Sequence, residues 1–297
     1  MSIAIVSGNG GKVKRIKVAA VQMESAIGDT QANAEAMAGW LASAADAGSG
    51  MIVFPECCLT GYRSCSPAEI AIPGSDPLLL EIEERALGLG LAIGYGFVEG
   101  ADGTDASPDS SSSPHADSDA ETSRPFITYV VTDGTERLVY QKTHLGSIEG
   151  AFGAGNELPV SKIAGMRVGV QLCWESHIPD LSTVQRAQGA ELILNPYACG
   201  LGGAARIEKW DRYLAARAFD NGLFVVAYNA LRHTADGGMR GGGIAAYAPD
   251  GSRLDCCDSL EDDMRVFDIG GPLPRENPSI DMRGIDYFAR RRPELYG

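Results

Sequence analysis

The chain lacks most of what marks a secreted, membrane-bound or nucleic-acid-binding protein. No apolar run approaches the roughly 20 residues that a bilayer-spanning helix needs, so no membrane partner is expected. There is no basic stripe, and a net charge of −14 opposes binding to nucleic acid or anionic membranes, which takes clustered lysine and arginine. The seven cysteines are an odd number and include two adjacent pairs, Cys57-Cys58 and Cys256-Cys257. That is neither a disulfide framework nor a CxxC metal pattern. At the N-terminus the basic residues follow the short apolar start, the wrong order for a secretory signal. No repeat occurs at solenoid periods, and no helix follows Gly241 to Gly243 to cradle a phosphate. The expectation is a soluble cytoplasmic protein.

What is present is ordinary globular material: 297 residues, 44% hydrophobic and 22% charged, enough for a sizeable core in one or two domains. Residues 1–15 read as a loose lead. Ile16 to Met23 reads as a buried strand, Asp29 caps a helix that runs to about Gly48, and Met51 to Phe54 is a second strand. This β-α-β order with apolar strands predicts a sheet covered by helices. A second helix spans Leu78 to Leu87. Strands follow at Leu91 to Val98, Phe126 to Thr132 and Arg137 to Tyr140. Ala101 to Ser123 has almost nothing apolar larger than alanine and reads as a mobile acidic insertion. Beyond it, Leu181 to Gly189 reads as a helix and Glu191 to Asn195 as a strand. Ala204 to Asn221 is the longest helix, with Ile207, Trp210, Leu214 and Ala218 on one stripe. Leu223 to Asn229, Gly243 to Tyr247, Arg253 to Cys257 and Met264 to Asp268 read as strands. Asn277 to Gly297 has no apolar period and reads as a tail that docks or frays.

Three polar residues stand at the ends of apolar strands: Glu56 after MIVFP, Lys142 after RLVYQ and Cys173 after MRVGVQL. Side chains at equivalent strand ends of an open sheet converge on one crevice. Taken singly, each has a plainer reading: Glu56 as a loop carboxylate, Lys142 as a solvated amine, Cys173 as a buried structural thiol. Together they make a chemical set. A thiol near its ordinary pKa of roughly 8.5 is only slightly ionised at pH 7. A carboxylate can take its proton, and an ammonium favours the resulting charge. Lys142 and the Trp174 N–H can then receive the oxyanion formed when sulfur attacks an amide carbon.

FPECCLTGY, YQKTHL and VQLCWESHIPD, in that order, resemble the three signature segments of the nitrilase superfamily, the carbon-nitrogen hydrolases. The likeness extends through IKVAAVQM, EGAFGAG, ELILNP, WDRYLAARAFDNGLFVVAYN and the terminal RRPELY. It implies a four-layer α-β-β-α sandwich over residues 16–276 and a Glu-Lys-Cys triad of Glu56, Lys142 and Cys173. Glu149 is implied as a second glutamate that orients the lysine, with a plain loop carboxylate as the alternative. The resemblance further implies hydrolysis of a non-peptide carbon-nitrogen bond without metal or cofactor. A homodimer or larger assembly is also implied, in which the 277–297 tail crosses to the partner.

Tyr62, Trp174 and Tyr197 are candidate pocket residues, or ordinary core aromatics. Glu175 binds a polar substrate group or anchors a loop. Cys-Trp-Glu is similar to the true nitrilases, whereas Leu59-Thr60-Gly61-Tyr62 is closer to the amidase and carbamoylase branches. The expected substrate is therefore a small linear amide or N-carbamoyl compound. A nitrile hydrolase using the same residues, and a non-catalytic scaffold of the same fold, are the alternatives.

Overall fold

The computed structural model describes residues 15–100, 124–233, 238–271 and 290–295. The lead, the acidic insertion and most of the expected C-terminal tail lie outside these described residues. In chain order the first half comprises β1 (Arg15–Gln22), α1 (Thr30–Asp46), β2 (Met51–Val53), β3 (Ile72–Pro73), α2 (Pro77–Gly88), β4 (Ala92–Gly100), β5 (Phe126–Thr132) and β6 (Arg137–Gln141). The second half begins with β7 (Val160–Ile163), β8 (Met166–Val170), α3 (Pro179–Ala187), β9 (Leu192–Tyr197), α4 (Gly203–Asn221) and β10 (Phe224–Asn229). It ends with β11 (Leu231–His233), β12 (Met239–Gly241), β13 (Ile244–Tyr247), β14 (Arg253–Cys257) and β15 (Asp263–Gly270).

Two sheets result. The first runs β15-β1-β2-β4-β5-β6, with β3 beside β4; the second runs β14-β13-β10-β9-β8-β7. At the heart of each, three strands are parallel, β1-β2-β4 and β10-β9-β8, and antiparallel strands extend both sides. Strand periodicity assigns the faces. Val18 and Ala20 of β1 join Val168, Leu192, Val226 and Ile244 in one core between the sheets. Ala19 and Val21 turn outward, to a second core with Met37 and Leu41 of α1 and Leu79 and Ile82 of α2. On the far side, Ile193 and Val225 pack against Ile207, Trp210 and Leu214 of α4. The layers are therefore helix, sheet, sheet, helix, as the motifs implied. Polar contacts also cross between the sheets: Tyr129 and Tyr228 share a 2.8 Å hydroxyl hydrogen bond, and Tyr129 also donates to the Phe54 carbonyl at 2.8 Å.

Local chemistry sets the helix ends. Asp29 accepts from Ala32 N at 3.1 Å and Asp76 from Leu78 N at 2.9 Å, both N-cap bonds. Gly222, at φ +60, stops α4 in a left-handed cap. Four short strands escape sequence reading. β3 has two residues, β7 has a polar face, and β11 and β12 form a separate small hairpin. None carries the apolar alternation that identifies the longer strands.

Candidate active site

Each expected strand-end residue sits where β structure stops. After β2 the Phe54 N–H still bonds to Gly94 O at 2.8 Å, and Pro55 then turns the chain so that Glu56 and Cys57 fold over β4. The approach is so close that a Cβ on Gly96 would lie 2.7 Å from Cys57 N, which only glycine avoids. Cys57 itself has φ +54. Lys142 follows β6 directly, its N–H bonding to Ile127 O at 2.9 Å. Cys173 lies three residues beyond the end of β8, because Gln171 still bonds to Leu194 O at 3.0 Å before the chain enters a 3-10 turn at Cys173–His177. Cys173 takes φ +47 at that corner, a conformation that costs a non-glycine residue of order 1–3 kcal/mol and is found mainly at functional sites.

The charged groups converge inside the sandwich. Lys142 Nζ lies 2.9 Å from Glu56 Oε1 and 2.7 Å from Glu149 Oε1. All three side chains are buried, and the lysine is wholly inaccessible to solvent. Glu149 also accepts from Tyr62 Oη at 3.0 Å and from Gly146 N at 2.5 Å. Stripping water from such ions costs several kcal/mol each, so only this mutual satisfaction within a large apolar core makes the set tolerable. Burial pulls Lys142 down, but Glu56, Cys173 and Glu149 outweigh it and hold the ammonium well above the usual lysine range. Burial pushes Glu56 well above the ordinary carboxylate range despite the neighbouring ammonium. A carboxyl raised in this way holds a proton more readily than a solvated glutamate does.

Cys173, from the other sheet, is close enough to act electrostatically on both Glu56 and Lys142. A hydrogen bond with Cys199, joined by burial, raises its thiol well above the ordinary range, against the pull of Lys142. At rest it is a thiol that needs a base. Cys199 was not singled out in the sequence, and neither was Arg206. Cys199 lies between β9 and α4 and accepts from Arg206 Nη2. The hydrogen bond from Cys173 and the Arg206 charge lower Cys199 to about 7, against burial. The signal that points to them is an arginine on the apolar stripe of α4, one turn before Trp210: a buried cation needs a counter-charge.

Glu175 anchors a loop. Its Oε1 accepts from Tyr140 Oη (2.6 Å), Thr143 N (2.8 Å), Thr143 Oγ1 (2.7 Å) and His144 N (3.0 Å), and its Oε2 from Leu172 N (2.7 Å). One buried carboxylate thus clips the segment after Lys142 to the segment before Cys173.

A cavity of about 330 Å³ opens beside the site. Glu24, Glu56, Tyr62, Cys199, Arg232 and His233 are among the residues that line it. The Arg232 guanidinium lies 5.8 Å from the Tyr62 ring centre. Of the three aromatics singled out, Tyr62 faces this cavity. Trp174 is 50% exposed, its ring 5.2 Å from that of His177. Tyr197 is buried, donating to Ser176 Oγ at 2.6 Å and packed 4.9 Å from the Trp210 ring.

Comparison with known proteins places this geometry in context. The family model described as carbon-nitrogen hydrolase matches residues 17–270. An (R)-stereoselective amidase of a Pseudomonas species is 26% identical over 95% of this chain and 93% of its own. A probable nitrilase of Schizosaccharomyces pombe is 26% identical over 73% of this chain and 75% of its own. Among solved structures, a mutant of the amidase from Nesterenkonia sp. AN1, with the acetamide moiety of fluoroacetamide covalently added at its active-site cysteine, superposes with a TM-score of 0.72. It is 24% identical over 98% of both chains.

Proposed function

The chain belongs to the carbon-nitrogen hydrolase family and is an amidase-like hydrolase, and from that premise we propose that it cleaves small linear amides or N-carbamoyl compounds through a thioester on Cys173. The observation that carries the reading is the buried Glu56–Lys142–Glu149 set with Cys173 of the facing sheet beside it. Glu56 takes the thiol proton as sulfur attacks the carbonyl carbon. Lys142 spends two of its three N–H donors on Glu56 and Glu149, which leaves one for the oxyanion, with the Trp174 N–H as the second donor. Glu56 next protonates the departing ammonia or amine, then takes a proton from the water that releases the acid. Glu149, braced by Tyr62 and Gly146, fixes the direction of the ammonium. Tyr62 lines the approach to the carbonyl, and the cavity volume favours short acyl groups.

The covalent acetamide on the cysteine of the Nesterenkonia amidase supports the same choice of nucleophile here. Ile148, 68% exposed, and Trp174 lie beside the site on the outer surface. That apolar pair supports a homodimer formed across the nucleophile side, to which the 277–297 tail would contribute. Arg291 already reaches Asp180 of α3 at 3.5 Å. Among the described residues no helix is long and apolar enough to cross a membrane. All seven cysteines are free thiols, which fits a reducing compartment such as the cytoplasm.

The test is ammonia release from a panel of short amides, N-carbamoyl amino acids and nitriles, run beside Cys173→Ala. Turnover of amides or carbamoyl compounds that vanishes in the variant is the expected result. Turnover of nitriles alone makes the protein a nitrilase, and undiminished turnover by the variant removes Cys173 from the chemistry.

A further inference from the structure

The catalytic set uses part of the cavity lining and leaves one cation there unexplained. Of the two carboxylates in that lining, Glu56 is bonded to Lys142. Glu24 is bonded to His233, whose backbone N–H it accepts at Oε1 (2.9 Å) and whose Nδ1 lies 2.5 Å from its Oε2. Arg232 belongs to the same lining, and no carboxylate forms an ion pair with it among the described residues.

Arg232 is held in place without being neutralised. Its Nη2 donates to Tyr62 O at 3.1 Å, and its guanidinium lies 5.8 Å from the Tyr62 ring centre. A guanidinium carries five N–H donors in a planar fork, and the others meet no acceptor among the described residues. The same tyrosine reaches the catalytic cluster: its hydroxyl donates to Glu149 Oε1 at 3.0 Å, and that oxygen lies 2.7 Å from the Lys142 ammonium. A single side chain thus separates the free guanidinium from the charged set, so a short substrate can touch both.

A second arginine points the same way. The β11–β12 hairpin that carries Arg232 is tied to the core where Leu231 N donates to Met23 O at 3.0 Å, and Arg240 stands directly opposite Arg232 in its register. Cross-strand partners present their side chains on the same face, where like charges are destabilising. Both arginines are exposed, and Arg240 too has no carboxylate in an ion pair with it among the described residues. The chain carries a net charge of −14, so carboxylates are abundant, yet neither arginine takes one. Two unneutralised cations on one hairpin at a cavity draw anions to it within an otherwise acidic protein.

On the footing of the hydrolase reading above, we propose that Arg232 is a specificity-determining residue that binds a carboxylate at the far end of the substrate, with Arg240 adding to the attraction. The substrates are then anionic, monoamides of short dicarboxylic acids or N-carbamoyl amino acids, rather than neutral aliphatic amides. The guanidinium fork matches a carboxylate with two parallel N–H···O bonds. Bond making and breaking stay with Cys173, Glu56 and Lys142; Arg232 selects and aligns.

The test compares succinamate with 4-methylpentanamide, in which an isopropyl group replaces the carboxylate, and reads the ratio of their kcat/KM values from ammonia release. In wild type the ratio should favour succinamate by at least about tenfold, and Arg232→Gln should cut it at least about tenfold, chiefly through KM. Arg232→Lys, which keeps the charge and loses the fork, should recover part of the ratio. Arg240→Gln should lower it by about twofold to fivefold. A variant damaged only in its folding loses both activities together and does not move the ratio. A wild-type ratio of one or below, or a ratio that Arg232→Gln leaves unchanged, overturns the proposal. Calorimetric titration of succinamate into the full-length Cys173→Ala protein reads the same contact without turnover. Adding Arg232→Gln to that protein should weaken binding at least about tenfold; no binding at all, or binding that the change does not weaken, overturns the proposal. A protein that binds succinamate through Arg232 but hydrolyses nothing refutes the hydrolase reading alone, and one that hydrolyses both amides without regard to charge refutes this one alone.

Discussion

Glu56 and Lys142 follow β2 and β6 of the seven-stranded sheet, whereas Cys173 and Cys199 follow β8 and β9 of the six-stranded sheet, and the two pairs are held differently. The charged pair is fixed by its own members: one ammonium bonded to two carboxylates, with Tyr62 and the Gly146 N–H behind Glu149. The sulfur pair is fixed by the backbone, through the left-handed corner at Cys173 and the Asn229 clasp on Cys199. The difference follows from chemistry. Three buried charges satisfy one another only at hydrogen-bond distance, so their positions are mutually determined. A thiol makes weak hydrogen bonds and must be aimed by the main chain instead. Glu175 connects the two arrangements, since its carboxylate bonds to segments from both sheets.

If the two sides form one site, breaking either abolishes turnover, with graded consequences. Cys173→Ala should lower kcat for ammonia release by about 10⁴-fold or more while leaving the fold intact, because removing a nucleophile leaves only binding and the oxyanion donors. Steady-state kinetics beside a circular dichroism spectrum checks both halves. Lys142→Ala should differ in kind. It removes an oxyanion donor, for about 10²–10³-fold in kcat, and it also strands two buried carboxylates, so unfolding in urea should reveal a loss of about 3–5 kcal/mol. A Lys142→Ala protein as stable as wild type would contradict the self-satisfied charged cluster.

The pH dependence probes the charged side alone. Glu56 must be ionised to take the thiol proton, and burial raises its pKa. As pH falls, kcat/KM should therefore decline along a limb lying above the ordinary carboxylate range, and Glu56→Gln should lose both that limb and most of the rate. A limb near the pKa of a free glutamate, roughly 4.3, would mean that the base is solvated or is another group.

Glu175→Gln tests the connection between the sides. It keeps the shape but weakens five charge-assisted bonds, so a loss of about 1–3 kcal/mol in stability is expected, with kcat falling more than KM rises as Lys142 and Cys173 lose registry. Tyr62→Phe is the mildest change. One hydrogen bond to Glu149 is lost, about 1 kcal/mol, and a several-fold decrease in kcat/KM is expected.

The charged side was legible in the sequence and the sulfur side only in part. Glu56 and Lys142 stand at the ends of strands whose apolar runs are unmistakable, so their convergence follows from strand alternation and the geometry of an open sheet. Cys173 was legible for the same reason, although the chain extends further past β8 than the apolar run suggests and ends in a left-handed corner that no composition announces. Cys199 was not singled out, since nothing in the Asn-Pro-Tyr-Ala run before it marks it. Its significance depends on Arg206, seven residues on, and on Asn229 at the end of β10, contacts that only folding creates. Glu175 stood open between a substrate ligand and an anchor, since a carboxylate two residues after a nucleophile fits either use until its five donors are located. The outer helices followed from 3.6-residue periodicity to within a few residues at each end. β7, β11 and β12 did not, since their pairing partners rather than their own residues make them strands.

The union of the two sides is tested most directly by acid-quenching the wild-type protein during turnover of a saturating short amide and measuring the mass of its peptides. An increment equal to the acyl group, confined to the peptide carrying Cys173 and lost on longer incubation, is the predicted result. Continued ammonia release with Cys173 unmodified, or an acyl group on Cys57 or Cys199 instead, would contradict it.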